Sequence, residues 1–252
     1  MLRGECNLAR QRRHKAATNN NVTNFQPYLN EQTAKKRAVH IVPRNENQEE
    51  YLELLMDESI SIVIATGPAG TGKTLLAMQA AIKALKERQI EKIVVTRPAV
   101  GVEDEKHGFL PGSLTQKMEP WTKPLFDVLH EYYSVRETAH MVTDEIIEIC
   151  PLAFMRGRTF KNAYIIADEM QNATPNQMKM LLTRIGEGSR ILVTGDVKQT
   201  DRRVGDNGLL DFQKLLYGFR DAEHVAGIEF TLRDIERHPA VEEVLRIYGE
   251  ED

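Results

Sequence analysis

The stretch that most limits what this chain can become is Ser61–Thr74, SIVIATGPAGTGKT, where an apolar, β-prone run leads straight into a glycine-rich turn ending in Lys73 and Thr74. Gly67, four intervening residues, Gly72, Lys73 and Thr74 satisfy the P-loop pattern without a mismatch, and LLAMQAAIKALKER after it reads as a helix. The order has a physical logic. A buried strand anchors the loop, glycines let successive backbone N–H groups turn toward one anion, and the helix adds its own N-terminal N–H groups and positive dipole end. The spacing predicts a phosphate cradle built from Gly67, Pro68, Ala69, Gly70, Thr71, Gly72, Lys73 and Thr74. Within it Lys73 reaches the β- and γ-phosphates of a nucleotide, and the Thr74 hydroxyl ligates Mg²⁺.

Three further apolar runs, Lys92–Thr96, Ala163–Ala167 and Arg190–Thr194, alternate with helical patterns. Strand, helix, strand at this spacing is a βαβ unit, so the reading is an α/β fold with a mainly parallel sheet sandwiched between helices. Ligands of such sheets bind beyond the carboxyl ends of the strands. Asp168 and Glu169 stand at one of those ends, where two acids are costly without a cation or proton to manage. In a P-loop enzyme the first holds Mg²⁺ and the second orients and deprotonates the attacking water. Gln199, in GDVKQ after the next run, is placed to bond both γ-phosphate and water. Gln48 precedes the P-loop strand, at the start of a helix over Gln48–Met56 capped by Asn45 or Asn47. Its amide donates and accepts, which suits the edge of adenine, although a glutamine at a helix start is by itself more often just polar.

Elsewhere the pattern says less. An edge strand over Lys36–Val42 and an inserted loop over Ala99–Gly112 are expected. Ser113–Tyr133 reads as a helix kinked around Pro120 to Pro124, with Trp121 on a packing face. A helix over Ala139–Cys150 is followed by an extended Pro151–Phe154. Thr174-Pro175 opens a helix running through Arg184. Gly208–Tyr217 and Pro239–Tyr248 read as helices, with an edge strand within Val225–Leu232. Arg97, at a strand end, serves phosphate, nucleic acid or a structural ion pair. Arg156 and Arg158 flank Gly157 in a cationic turn that meets either phosphate or local carboxylates.

At 252 residues the chain supports a basic N-terminal arm, 1–40, and one domain, 41–252. Arg3, Arg10, Arg12, Arg13, Lys15, Lys35, Lys36 and Arg37 stand against Glu5 and Glu31 there, so the arm is +6 and the remainder of this −4 chain is −10. Such an arm is either a nucleic-acid contact or a solvated tail, and its Asn- and Gln-rich middle predicts mobility. No window approaches eighteen apolar residues and the start lacks a secretory signal, so a cytoplasmic protein without membrane contact is expected. Cys6 and Cys150 lack neighbours at metal-ligand spacing and read as free thiols.

Taken together, GPAGTGKT, VVTRPAV, GFLPG, PLAFMRGRTF, YIIADEMQNAT, LVTGDVKQTD and DIERHPAV closely resemble the PhoH family, over roughly Val42–Gly249. The family is similar to the first motor domain of superfamily 1 helicases, with a RecA-like core. The resemblance implies ATP binding and hydrolysis with Mg²⁺, RNA or single-stranded nucleic acid as regulator or substrate, and homo-oligomeric rings such as hexamers. It matches Gln48 to an adenine-reading glutamine, Lys73 and Thr74 to the phosphate and metal positions, and Asp168 and Glu169 to the paired acids. Gln199 matches a γ-phosphate sensor and Arg237 the arginine of the terminal block, with Arg233 as runner-up. Met170 departs from the family's usual DEAQN, a change the site should tolerate because Gln171 keeps its place, and a second RecA-like domain is not visible. The competing reading is a nucleotide-gated assembly module with slow hydrolysis; a small-molecule kinase fits the acids and the GDxxQ block less well.

Overall fold

In the computed structural model, residues 38–98, 114–199 and 207–236 are described, together with residues 240, 243, 244 and 247. The strands are β1 Ile62–Thr66, β2 Lys92–Thr96, β3 Ile147–Ile149, β4 Ala163–Ala167, β5 Arg190–Gly195 and β6 Val225–Glu229. They form one sheet in the order β3-β2-β4-β5-β1-β6, and every pairing is parallel. The helices are α1 Glu46–Met56, α2 Lys73–Lys86, α3 Leu114–Tyr132, α4 Val135–Thr143, α5 Pro175–Leu182 and α6 Gly208–Gly218.

Both faces of the sheet are covered, which is why its central strands are continuous apolar runs rather than alternating ones. Successive side chains go to opposite sides. Val63, Ala65, Ile93, Val95, Ile166 and Leu192 join one core cluster with Tyr51 and Leu55 of α1 and Ala77, Met78 and Ile82 of α2. Ile62, Ile64, Val94, Ile165, Ile191 and Val193 join a second, with Met178 and Leu181 of α5 and Leu209 of α6. This is the expected α/β sandwich. Strand β5 separates the P-loop strand β1 from the acid-bearing β4, as a RecA-like arrangement requires.

Several expectations need correction. Ala38–Pro43 forms no strand. The segment turns its apolar residues inward instead, packing Val39 and Ile41 against the core. The helix expected over Ala139–Cys150 begins earlier, at a capping box between Ser134 and Glu137, and stops at Thr143. Glu145 then takes a left-handed φ of 55°, and Ile147–Ile149 pairs with β2 as an edge strand. Leu152–Met155 is a 3-10 turn rather than extended chain. Helix α3, by contrast, covers the expected stretch, with Pro120 and Pro124 inside it. The inserted loop, most of the basic arm and most of the last helix lie outside the described residues, although Ala240, Glu243, Val244 and Ile247 are helical. Among the described residues no helix is long and apolar enough to cross a membrane.

Candidate nucleotide site

Strand β1 delivers the loop to the carboxyl edge of the sheet, and Gly67 turns it there. Its φ is 137°, and a Cβ would lie 2.4 Å from the carbonyl oxygen of Phe230, so only glycine fits beneath the segment that follows β6. At the other end Gly72, with φ 82°, is the N-cap of α2, and no side chain caps the helix. Its first N–H groups therefore face the loop, which is the arrangement that receives anions.

Lys73 lies within the loop. Its ammonium donates to the carbonyls of Gly67 at 2.8 Å and Pro68 at 2.6 Å, and to the Thr71 hydroxyl at 3.0 Å. Burial pushes its pKa below the ordinary lysine value, while Asp196, Asp168 and Glu169 pull the other way. The charge is thus held among acids at the mouth of the sheet. Asp168 Oδ1 accepts from the Thr74 hydroxyl at 2.9 Å and from Thr194 at 2.6 Å. A hydroxyl and a carboxylate, both hard oxygen donors, fit Mg²⁺ in the P-loop manner, in which phosphates and waters complete the shell. No cluster of three metal-ligating side chains occurs among the described residues, and this mode does not need one.

Glu169 has a left-handed φ of 55°. A non-glycine residue held there costs on the order of 1–3 kcal/mol and persists where its surroundings over-determine it. Gln171 supplies part of that constraint: its amide nitrogen donates to Glu169 Oε2, and its oxygen accepts from Asp196 N at 3.2 Å. The same oxygen would lie 2.5 Å from a Cβ on Gly195, so glycine there lets the bridge pass. Thr194 is not singled out by the sequence, and Gln171 only as a retained position of the acid-pair motif with no role of its own. The signal available was position alone: two residues after the acid pair, and the next-to-last residue of β5.

Ala69, Gly70, Gly72, Lys73, Thr74, Leu75, Asp168, Glu169, Gly195, Asp196 and Gln199 line one cavity of about 300 Å³. A neighbouring cavity of about 440 Å³ shares Gly70, Gly72 and Leu75 and adds His40, Arg44, Gln48, Gln79 and Glu236. Gln48 is buried, accepts from Arg44 N at 2.9 Å and donates to Thr71 O at 3.1 Å. Its amide thus ties the loop to the start of α1, leaving one N–H and one lone pair for other work. Asn45 is the α1 cap, whereas Asn47 donates to Asp234 at 2.8 Å. Glu236 N donates to Gly70 O at 3.1 Å, so the segment after β6 is also pinned to the loop. Arg233 lines a different cavity, of about 710 Å³, on the Pro68 side. Arg237 lies outside the described residues. Arg158 is engaged by Glu148 at 2.9 Å and sits over the Phe160 ring, which decides its alternative in favour of the carboxylate.

A family profile described as PhoH-like protein matches residues 40–249. The chain belongs to the PhoH family. It is 41% identical over 240 residues to a PhoH-like protein of Bacillus subtilis, covering 94% of this chain and 73% of that one. A PhoH-like protein of Synechocystis is 42% identical, with 85% of this chain and 64% of the relative covered. Protein PhoH of Escherichia coli is 40% identical, with 83% and 58% covered. The chain thus spans between 58% and 73% of the length of these PhoH relatives. Among solved structures, the SWI2/SNF2 ATPase core of Sulfolobus solfataricus with dsDNA matches at TM-score 0.43 and 15% identity, covering 80% of this chain and 48% of that one. Pif1 helicase from Candida albicans matches at 0.41 and 16%, covering 83% and 44%.

Proposed function

We propose that this PhoH-family protein binds ATP with Mg²⁺ and hydrolyses it at the β–γ bond, in a cycle coupled to RNA or single-stranded nucleic acid. The observation that carries the reading is the convergence of Lys73, Thr74, Asp168, Glu169 and Gln199 on one cavity, beside a second that shares Gly70, Gly72 and Leu75 with it and is lined by Gln48. Phosphates fit the first space and a base the second.

Each side chain has a task in that geometry. Lys73 supplies a fixed cation where charge develops on the transferred phosphoryl group. Glu169, held by Gln171, accepts the proton of the attacking water, and Gln199 orients that water. Thr74 and Asp168 would hold Mg²⁺, which would supply positive charge to offset that of the phosphates. Gln48 reads adenine with its remaining N–H and lone pair. The Arg-rich arm, residues 1–40, adds phosphate contacts, the chain works in the cytoplasm, and the assembly is a homo-oligomeric ring in which Arg237 of one copy completes the site of the next.

Phosphate release with Mg²⁺, with and without a single-stranded RNA, tests this. ATP turnover that depends on Mg²⁺ and is abolished in Lys73→Ala supports it. Turnover unchanged in Lys73→Ala would falsify it. ATP binding without turnover in the parent would favour the nucleotide-gated assembly module.

A further inference from the structure

The feature outside the nucleotide site that calls for a role is the 3-10 turn Leu152–Met155, which leaves β3 at the carboxyl edge of the sheet. Leu152 is 1% exposed and Met155 0%, whereas Phe154 between them is 60% exposed. The turn is fixed. Leu152 N donates to Arg97 O at 3.3 Å, Phe154 N to Pro151 O at 2.9 Å and Arg158 N to Met155 O at 3.2 Å. Leu152 and Met155 are packed in the cluster that contains Met170, Ala173 and Met178. Phe154 is therefore held outward by an anchor on each side.

A single exposed apolar residue is ordinary by itself. Its setting here is not. Residues 150–162 contain Arg156, Arg158 and Lys161 and no acid, on a domain that is otherwise acidic. Arg158 is committed to Glu148, while Arg156 is exposed and Arg97, whose carbonyl anchors the turn, is half-buried at the end of β2. Ala153 and Gly157, in the same stretch, are exposed and small. The apolar area is thus one ring, too little for the core of a protein interface but matched to one nucleobase.

We propose that Phe154 is a stacking platform for a base of single-stranded nucleic acid, with Arg156 and Arg97 meeting the adjoining phosphates. The inference rests on the nucleic-acid reading above and gives that reading a surface. Stacking tolerates any base, and the cations follow the backbone, so binding is weakly sequence-dependent and salt-sensitive. The platform's anchors share a packed cluster with Met170 and Ala173, which follow the acid pair, so an occupied turn bears on the loop that carries Glu169.

The test measures fluorescence anisotropy of a labelled oligouridylate with the full chain across a salt series. Phe154→Ala should weaken binding roughly tenfold to a hundredfold with the salt slope unchanged, and Phe154→Trp should restore it. Arg156→Gln should make the slope shallower by about 0.7. Basal ATPase and circular dichroism should match the parent in all three. If the parent binds and Phe154→Ala binds equally well, or if Trp fails to rescue a weakened Ala variant, the platform is wrong while the nucleic-acid reading stands. If the parent binds no single-stranded oligonucleotide, the nucleic-acid reading falls and the platform with it.

Discussion

At the scale of single residues, the proposed site divides into groups that would meet phosphate and groups that hold others in place. Glu169→Gln keeps the side-chain shape and removes the basicity, so ATP should still bind while turnover falls at least ~10²-fold; equilibrium nucleotide binding and single-turnover rates check this. Gln171→Ala is a different case. It leaves the carboxylate of Glu169 intact but removes the amide that bridges it to Asp196 N. A misplaced base is expensive, so kcat should drop on the order of 10–100-fold with KM for ATP little changed. A KM rise with kcat unchanged would place Gln171 on the binding side instead. Glycine patterning made the loop legible because Gly67 and Gly72 need positive φ, and no other residue supplies it cheaply. Gln171 was illegible for the opposite reason: a glutamine carries no local conformational signature, and its partner Asp196 is brought to it only by the pairing of β4 with β5.

At the scale of elements, strands with strong β character were read to within a residue, as Ala163–Ala167 and Arg190–Gly195 show. Strand β3 was missed because IIEIC fits a helical stripe as well as alternation, and its three residues are too few for a period to decide. What settles it is tertiary: pairing with β2, and a clasp from outside the strand. Arg158 and Lys92 both reach Glu148 in the middle of β3. The bond from Arg158 holds the Glu148 carboxyl below the usual range, with Lys92 adding to it and burial opposing. The unfolded chain therefore takes up this proton first as the pH falls. The stabilisation is complete well above the unfolded glutamate value, about 4.3, and is lost below it. Glu148→Gln should cost about 0.5–1 kcal/mol at pH 7, a modest figure because the Arg158 side chain is 37% exposed. Urea unfolding at pH 7 and pH 3 checks the sign: the gap between variant and parent should shrink at pH 3. A gap that stays constant would mean that packing, not charge, ties β3 down.

At the scale of the whole molecule, the P-loop is clamped by segments from both ends of the described domain. Gln48 joins Thr71 to Arg44, Glu236 bonds Gly70, and Asn47 bonds Asp234. The chain after β6 thus reaches the nucleotide site from behind, on the Pro68 side, and Arg233 lies there rather than in the cavity of Lys73, Asp168 and Glu169. A charge building on the γ-phosphate needs a further cation, and an arginine in that role is worth about 10³-fold or more. Among the described residues that line the phosphate cavity, Lys73 is the sole Lys or Arg. In the proposed ring a second copy would supply the further cation, because a head-to-tail contact closes when its rotation is right. Mixing Arg237→Ala chains, intact at Lys73, with Lys73→Ala chains, intact at Arg237, reads this out. Each alone should be inactive, and mixed assemblies should regain turnover at the interfaces that join a working loop to a working arginine. A repeat with Arg233→Ala should show no such dependence. Demonstrated subunit mixing without recovery would return the arginine to its own chain or to a structural pairing.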